Sequence, residues 1–370
     1  MPLLTYKQAR PWAKAIRQAV GTRKMPPWFA DPQYGHFAND RSLSSAEIDT
    51  LVRWVDAGAP AGDPHLGPPP RRWPEGWNIG PPDSVFEMPM AFSIPARGAI
   101  DYQYLILPGH FAKDVWVQNV EMRPSDRAAV HHAVVYIREP GSKWLEEEPR
   151  ENMFSVPLSK GFTTSDILMV YTPGNSFDGW PTGMAKRIKA GSDLVLQVHY
   201  TATGKATADR TRIGIVLAKE PPQKAVLTLQ MGNDKFVIPP GDPNYRVQVS
   251  GTMPNDALLI SLFPHMHLRG KAFEYMIAGP NGNVETLLKV NQYDFNWQLN
   301  YRLAAPRMIR AGTRLLWAGY FDNSANNARN PDPGAEVRFG EQSWEEMMIG
   351  FFDVAVPAGL SKSEFFDRVR

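Results

Sequence analysis

Residues 193–200 read Asp-Leu-Val-Leu-Gln-Val-His-Tyr, and this stretch shows the pattern that predicts the fold. Leu194, Leu196 and Val198 occupy every second position, and His199 follows the last of them. Successive side chains of a strand point to opposite faces, so the alternation predicts a β-strand whose aliphatic face enters a core. His199 then lies on the face opposite to those aliphatic side chains.

Segments of the same kind follow one another along the chain after Phe86, separated by Gly, Pro, Asn and Asp. No long amphipathic helices lie between them, which argues against a parallel βαβ sheet and favours two antiparallel β-sandwiches. The natural break between the two sandwiches is Lys219-Glu220-Pro221-Pro222. The other predicted strands are Tyr102–Leu107, Asp114–Val120, Val130–Ile137, Arg212–Leu217, Val226–Gln230, Arg246–Val249, Leu258–Phe263, Ala272–Ala278, Gln298–Leu303, Arg314–Tyr320 and Met347–Val354.

The N-terminal part of the chain has a different character. A helix is predicted over Tyr6–Val20 with an interruption at Pro11, and a second helix begins at the capping box formed by Ser44 and Glu47. A Pro-rich stretch then separates this part from the strands. We therefore divide the chain into a helical segment (1–62), a Pro-rich linker (63–85), an N-terminal sandwich (86–220) and a C-terminal sandwich (221–370).

The overall composition excludes several classes of protein. A chain of 370 residues exceeds what one core usually spans, so two or three domains are expected. The formal net charge of +2 provides no field for nucleic acid or an anionic membrane. The longest apolar run, residues 257–263, is far shorter than the roughly 20 residues of a membrane span. The absence of cysteine excludes disulfides, thiolate zinc sites and thioether-attached haem.

Histidine is scarce, yet five of the eight histidines lie in three motifs. His265 and His267 are two residues apart, so on a strand both imidazoles reach one ion. His131 and His132 are adjacent, and joint ligation by them requires a β-bulge. Imidazole without thiolate suits copper, zinc, iron or nickel, while a methionine thioether selects for Cu(I). Taken alone, Met347 at the start of the last predicted strand is interpreted as core filler rather than as a ligand.

Four motifs together carry a resemblance to a known family. They are His131-His132 in a β segment, Gln197-Val198-His199-Tyr200, Pro264-His265-Met266-His267 and Glu345-Glu346-Met347. Their order and separation resemble those of the copper type II, ascorbate-dependent monooxygenases, the family of peptidylglycine α-hydroxylating monooxygenase and dopamine β-monooxygenase. The resemblance covers roughly residues 86–355.

This resemblance implies a mainly β protein with two tandem jelly-roll-type β-sandwich domains, each carrying one copper. It assigns an electron-transfer copper to one ligand set and an O2-binding copper to the second set, which makes the second set catalytic. The implied reaction is the hydroxylation of an aliphatic or benzylic C–H bond of a small molecule with O2. The implied electron donor is ascorbate or a haem domain or protein. The first set is His131, His132 and His199, and the second is His265, His267 and Met347.

The helical segment carries a second resemblance. Met25-Pro26-Pro27-Trp28, the helix over residues 43–55 and Ala57-Gly58-Ala59-Pro60 look like the C-terminal part of a small c-type cytochrome. The Cys-x-x-Cys-His attachment segment is absent, so we expect no covalent haem and do not count Met25 as a ligand. Residues 1–5 do not read as a signal peptide, and a periplasmic or secreted location is implied by the resemblance alone.

The family pattern and this chain differ around the second copper. The animal peptide hydroxylase presents Arg, Asn and Tyr to the peptide carboxylate, whereas the matching positions here are Phe263, Ile349 and Phe351. Arg269 shares the histidine face only if the strand stays regular past His267. We therefore expect an apolar pocket that takes a neutral or weakly polar substrate.

Two alternative functions remain open from the sequence. A cupin-like mononuclear iron or manganese oxygenase would use His265, His267 and a carboxylate such as Glu274. A copper-binding β-sandwich without catalytic activity would use the same ligands as the monooxygenase. Copper stoichiometry distinguishes the monooxygenase from the cupin-like alternative. Oxygen consumption with a reductant distinguishes it from the non-catalytic copper-binding protein.

Overall fold

The computed structural model describes residues 3–67, 69, 75–161, 163–279 and 281–367, and most of its regular structure is β-strand. Parts of the predicted linker (68 and 70–74) and the last three residues of the predicted C-terminal sandwich lie outside the described residues. The first half contains β1 Ser84–Glu87, β2 Phe92–Ile94, β3 Gln103–Leu107, β4 Val115–Arg123, β5 Val130–Arg138, β6 Asp166–Tyr171, β7 Phe177–Gly179, β8 Met184–Ile188, β9 Asp193–Tyr200, β10 Thr207–Asp209 and β11 Arg212–Leu217. The second half contains β12 Lys224–Asn233, β13 Val237–Ile238, β14 Tyr245–Thr252, β15 Ala257–His265, β16 Gly270–Ala278, β17 Val284–Val290, β18 Tyr301–Ile309, β19 Arg314–Phe321, β20 Val337–Arg338 and β21 Met348–Pro357.

The mainly β fold with two sandwiches is confirmed, and each of the predicted segments overlaps an observed strand. The least accurate prediction is Gln298–Leu303, because β18 begins only at Tyr301. Several other strands, most of them short or at sheet edges, were not predicted from the sequence. These are β1, β2, β6, β7, β8, β10, β13, β17 and β20.

Helices are short and few among the described residues. They are α1 Tyr6–Ala9, α2 Ala13–Gly21, α3 Ser45–Asp56, α4 Leu158–Gly161 and α5 Lys362–Phe366, with 3-10 turns at Arg10–Trp12 and Pro64–Leu66. The predicted interruption at Pro11 and the Ser44–Glu47 capping box at the start of α3 are both present. In the described part of the chain, no helix is long and apolar enough to cross a membrane.

Each half of the chain forms a sandwich of two sheets. In the first half, the sheet β3-β9-β5-β6 faces the strands β1-β11-β4-β8 across one core. Leu194, Leu196 and Val198 enter that core, and His199 lies on the other face of β9, as predicted. In the second half, the sheet β14-β19-β16-β17 packs against β12-β21-β15-β18 around Trp317.

The two sandwiches are joined edge to edge, which the sequence did not predict. β8 of the first half pairs with β12 of the second in parallel, with Met184 opposite Lys224 and Ala185 opposite Ala225. One long sheet therefore runs through both sandwiches and crosses the break expected at Pro221-Pro222. Because this pairing fixes the register between the two halves, it also fixes which residues of the two sandwiches face each other.

A buried lysine reinforces this junction. Lys186 on β8 is 1% exposed, and its ammonium donates to the carbonyl of Ile167 at 2.5 Å and to the Thr228 hydroxyl at 2.7 Å. Thr228 in turn donates to the carboxylate of Asp353 at 2.5 Å. The nearest carboxylate to the ammonium is Asp166 at 3.9 Å. This network ties β6 and β8 of the first sandwich to β12 and β21 of the second.

The segment after the first helices packs on the C-terminal sandwich. Trp28 and Phe37 contact each other and Tyr301 edge to face, with ring centroids 4.9–5.9 Å apart. Ala30 forms a β-bridge with Val290. Met25 itself is 44% exposed. The helical segment is therefore anchored through Trp28, Ala30 and Phe37, which lie between its first helices and α3.

Replacement of Lys186 by methionine should destabilise the junction. The change leaves the carbonyl of Ile167 and the hydroxyl of Thr228 without their buried donor, which costs about 3 kcal/mol. Urea unfolding followed by circular dichroism measures the effect. Lys189→Met on the surface, where Lys189 pairs with the exposed Glu139, is the matched control and should change stability by less than about 1 kcal/mol. Equal midpoints for the two variants would show that the junction does not depend on Lys186.

Candidate metal centre

The first ligand set is assembled by the bulge that its sequence requires. The pairing of β5 with β9 shifts between Val130 and His132, so His132 lies opposite His199 and His131 lies in the bulge. One ligand atom from each of His131, His132 and His199 lies within 4.8 Å of the others, and all three residues are buried. The predicted joint ligation by adjacent histidines is therefore geometrically possible because of this bulge.

The second ligand set differs from the prediction in one respect. β15 ends at His265, and His267 lies in the following turn, so strand periodicity does not place the two rings together. Their ring centroids are nevertheless 5.3 Å apart. The turn is held by Glu346, whose carboxylate accepts from the backbone N–H groups of His267 at 2.8 Å and Arg269 at 2.6 Å. The buried carboxylate of Glu346, and not a strand, therefore positions His267.

Met347 lies beside this set in the sequence and in the wall of the same cavity. It is buried between Glu346, which binds the His267 turn, and β21, where Ile349 pairs with His265. Met347 and His265 line the same cavity. Its neighbour Met348 packs into the C-terminal core instead.

The two ligand sets meet across the junction between the sandwiches. The ring centroids of His132 and His265 are 5.4 Å apart. The five histidines therefore form one continuous cluster, although they come from opposite sides of the break at Pro221-Pro222. We call these five residues and Met347 the histidine cluster.

Neighbouring side chains that no sequence motif identifies orient the rings. Tyr102 places its hydroxyl 3.0 Å from Nε2 of His132, and Gln298 places Oε1 2.7 Å from Nδ1 of His265. Since an amide oxygen only accepts, Nδ1 of His265 carries the proton and Nε2 is the free donor atom. Such contacts fix ring orientation in metal sites. Gln298 was predicted as part of a strand, and no local pattern marks it as a partner of His265.

The electrostatics of the cluster favour neutral imidazoles. Burial, together with neighbouring histidines, lowers the pKa of His131 to about 4 and that of His199 to about 3. Burial lowers the pKa of His265 to about 4, and it brings those of His132 and His267 well below their usual value. Neutral imidazole is the form that binds a metal ion.

Several nitrogen atoms of the cluster fit a metal ion better than they fit the bare protein. Nδ1 of His199 and Nε2 of His267 are buried and have no hydrogen-bond partner among the described residues. Nδ1 of His131 and Nδ1 of His132 are 3.1 Å apart. Two ligands of one tetrahedral ion, each about 2.0–2.1 Å from it, are separated by roughly 3.3 Å. The donor set therefore suits a transition metal that accepts imidazole and thioether.

A cavity of about 560 Å³ opens onto the cluster at the junction of the sandwiches. His132, His265 and Met347 form part of its wall. Phe263, Ile349 and Phe351 also line it, in agreement with the expected apolar surface around the second set. This volume is typical of sites for small molecules.

Two residues considered in the sequence analysis lie elsewhere. Arg269 is 1% exposed and does not line the cavity, because its guanidinium donates to Asn323 and to the carbonyl of Trp344. Glu274 pairs with Lys289 at 3.0 Å and accepts from Tyr320. No contact of Glu274 with the cluster is found among the described residues, so Glu274 does not complete the alternative cupin-like triad.

Comparisons with known proteins do not assign this site. No protein-family model matches the sequence, and no curated protein sequence matches it either. Among solved structures, the chain is similar to the major capsid protein P2 from bacteriophage PM2, with 9% identity, a TM-score of 0.31 and coverage of 75% of this chain and 98% of that chain. It is also similar to the infectious bursal disease virus VP2 subviral particle, with 11% identity, a TM-score of 0.22 and coverage of 76% and 74%. A third similar structure, PNGF-II, has 10% identity, a TM-score of 0.30 and coverage of 74% and 65%. Likeness at this level carries no functional argument, so the site is interpreted from its own residues.

Gln298→Leu should weaken metal binding at the second set. Loss of the amide frees the His265 ring, and loss of such an orienting contact lowers metal affinity by about 10–100-fold. Competition with a chelator during Cu(II) titration measures this affinity. Gln230→Leu is the matched control, because Gln230 lines the same cavity but contacts no histidine. Unchanged affinity in Gln298→Leu would show that Gln298 does not orient a ligand.

Proposed function

We propose that this chain is a copper-dependent monooxygenase that hydroxylates an aliphatic or benzylic C–H bond with O2 and an external reductant. The observation that carries the proposal is the histidine cluster beside a cavity of about 560 Å³ lined by aromatic and aliphatic side chains. Five neutral imidazoles and a thioether, with no thiolate and no carboxylate among them, suit copper. Bound copper would supply one-electron redox chemistry with O2 at this wall of the cavity.

The protein's own groups prepare the site in three ways. Burial keeps all five imidazoles neutral and available as ligands. Tyr102 and Gln298 hold the rings of His132 and His265. Phe263 and Phe351, whose rings stack with centroids 5.8 Å apart, hold an apolar substrate body and exclude water.

The charge of the cavity wall also restricts the substrate. Glu139, Asp166 and Glu341 line the cavity, against one lysine, Lys362, among the described residues of the wall. Lys362 lies 3.7 Å from Asp166, so its charge is already balanced. A substrate carboxylate therefore finds no free cation in the described wall, and leaving it unpaired costs several kcal/mol.

Glu341 favours a cationic group in the substrate. Its carboxylate has no hydrogen-bond or ion-pair partner in the described part of the chain. Burial, followed by the nearby carboxylates of Glu345 and Asp101, raises the pKa of Glu341 to about 7. A protonated amine bound beside Glu341 supplies a positive charge there. This charge offsets both the burial of the carboxylate and its repulsion by Glu345 and Asp101. We therefore propose a substrate with an aromatic or aliphatic body and an amino group, which differs from the neutral or weakly polar substrate expected from the sequence because the cavity wall also contains acidic residues.

The reconstituted protein should bind two copper ions per chain, and Met347→Ile should weaken one of them. The thioether is a soft ligand, so its loss should act mainly on Cu(I) at the second set. Metal analysis after dialysis gives the stoichiometry, and competition with a Cu(I) chelator gives the affinities. Met348→Ile, which alters an adjacent buried methionine outside the cluster, should change neither. One iron per chain, or no metal retained, would refute the copper assignment.

Glu341 should set both substrate preference and its pH dependence. Since only the ionised carboxylate attracts an ammonium group, kcat/KM for a phenethylamine-like substrate should rise as the pH increases through about 7. Glu341→Gln should lower that value about tenfold and abolish this rise, while a neutral isostere of the same substrate should be unaffected. Oxygen uptake with ascorbate as reductant measures all three.

A glycine-extended peptide should be turned over poorly in the same assay. Efficient amidation of the peptide, or equal pH profiles for the wild type and Glu341→Gln, would contradict the proposed substrate class. Absence of any oxygen uptake by copper-loaded protein would favour a copper-binding protein without catalytic activity.

A further inference from the structure

A much smaller cavity lies inside the junction between the two sandwiches. Its volume is about 20 Å³, and we call it the junction cavity. Its wall includes Asp178 from the first half of the chain and Ser261, Asn300 and Asp353 from the second half. One water molecule needs a cavity of roughly 10–15 Å³, so the junction cavity has room for one particle of that size. Such a particle contacts both halves of the chain.

The register of the strands brings polar side chains together around this cavity. The pairing of β15 with β21 shifts between Leu259 and Ser261, and Ser261 then lies opposite Asp353. Asn300 directly precedes β18, and its amide nitrogen donates to the carboxylate of Asp178 across the junction at 3.3 Å. Carboxylate, amide and hydroxyl oxygens from both sandwiches therefore line one small space.

One of these oxygen atoms has no donor. Asn300 is 8% exposed, and Oδ1 of its side chain is buried without a hydrogen-bond partner among the described residues. An amide oxygen only accepts, so a hydrogen-bond donor or a cation must meet it. The carboxylates of Asp178 and Asp353, which are 7% and 9% exposed, also only accept when they are ionised. The wall of the junction cavity therefore has an excess of buried acceptors.

The charges in the wall favour a cation over a neutral donor. The charged side chains that line the cavity are two carboxylates, Asp178 and Asp353, and one ammonium, Lys186. In the described part of the chain, neither carboxylate has an ion-pair partner, and Lys186 lies 3.9 Å from Asp166 instead. Burial, followed by the carboxylate of Asp353, raises the pKa of Asp178 to about 6, and the charge of Arg302 limits that rise. A cation in the cavity offsets both causes.

The ligand atoms and the space indicate the class of cation. Oxygen ligands of these kinds bind hard cations. Ca²⁺ takes about six to eight oxygens and would place two positive charges near Lys186. Mg²⁺ keeps several waters, for which the cavity has no room. One positive charge, added to that of Lys186, balances the two carboxylates, and Na⁺ has the size of a water molecule.

We propose that the junction cavity binds one Na⁺ ion, held by Asp178 of the first half and by Asn300 and Asp353 of the second half. The ion ties the two sandwiches together beside the Lys186 network. No residue of the histidine cluster lines the junction cavity. The proposal therefore does not depend on copper, and it is tested separately from the proposed function.

The test is urea unfolding of the full chain, with and without copper, in NaCl, KCl or choline chloride at equal ionic strength. Because Na⁺ binds only the folded state, each tenfold increase in Na⁺ above its dissociation constant should raise the equilibrium constant for folding about tenfold. KCl should act more weakly, and choline chloride should have no effect. Asp178→Asn and Asn300→Leu should each lose the dependence on Na⁺.

Asp209→Asn is the matched control, because Asp209 is a fully buried carboxylate of the first half that does not line the junction cavity. It accepts from Tyr200 and Thr211, so its replacement should destabilise the fold but leave the dependence on Na⁺ unchanged. Sodium NMR gives a second measurement that needs no unfolding. The wild type and Asp209→Asn should broaden the Na⁺ line, and Asn300→Leu should not.

Three results would overturn the proposal. Equal stability of the wild type in NaCl and choline chloride would show that the junction cavity holds only water. Stabilisation by CaCl₂ but not by NaCl would show that the ion is divalent. A dependence on Na⁺ that persists in Asn300→Leu would place the ion elsewhere. None of these results bears on the copper function, which fails only if the histidine cluster does not retain copper.

Discussion

The parallel pairing of β8 with β12 determines how the two halves of the chain meet, and the histidine cluster depends on it. Neither sandwich holds the cluster alone, because His132 belongs to the first half and His265 to the second. The pairing and the network around Lys186 fix the register between the halves. A shift of one residue along this edge would point the facing side chains away from each other.

Local patterns in the sequence predicted much of this fold. Strict alternation at residues 193–200 placed Leu194 and Leu196 in the core, and the adjacency of His131 and His132 required the bulge found in β5. These features follow from strand periodicity, which acts over a few residues. Short edge strands were missed, because two or three residues carry too little alternation to distinguish them from loops.

The contacts between distant parts of the chain were not predictable in the same way. The meeting of His132 with His265, the role of Gln298 and the packing of Trp28 on Tyr301 all join residues far apart in sequence. Strand periodicity correctly predicted that the His267 ring lies near the His265 ring, but His267 is not in the strand. The strand ends at His265, and the buried carboxylate of Glu346 holds the turn instead. Burial raises the pKa of Glu346 to about 8, and the amides of Arg269 and His267 limit that rise.

Without a bound ion, the histidine cluster lowers the stability of the folded protein. A buried polar atom without a partner costs about 1–3 kcal/mol, and Nδ1 of His199 and Nε2 of His267 are both in that condition within the described structure. Binding of a metal ion offsets this cost, so loading should stabilise the fold as well as equip it chemically.

The two ligand sets form one cluster across the junction of the sandwiches. Electron paramagnetic resonance of protein loaded with two Cu(II) ions tests whether the ions lie together in that cluster. Ions held by rings as close as those of His132 and His265, 5.4 Å between centroids, should be magnetically coupled and should show a broadened spectrum with a half-field transition or a loss of signal intensity. Two sharp, independent Cu(II) spectra at full intensity would contradict a single cluster.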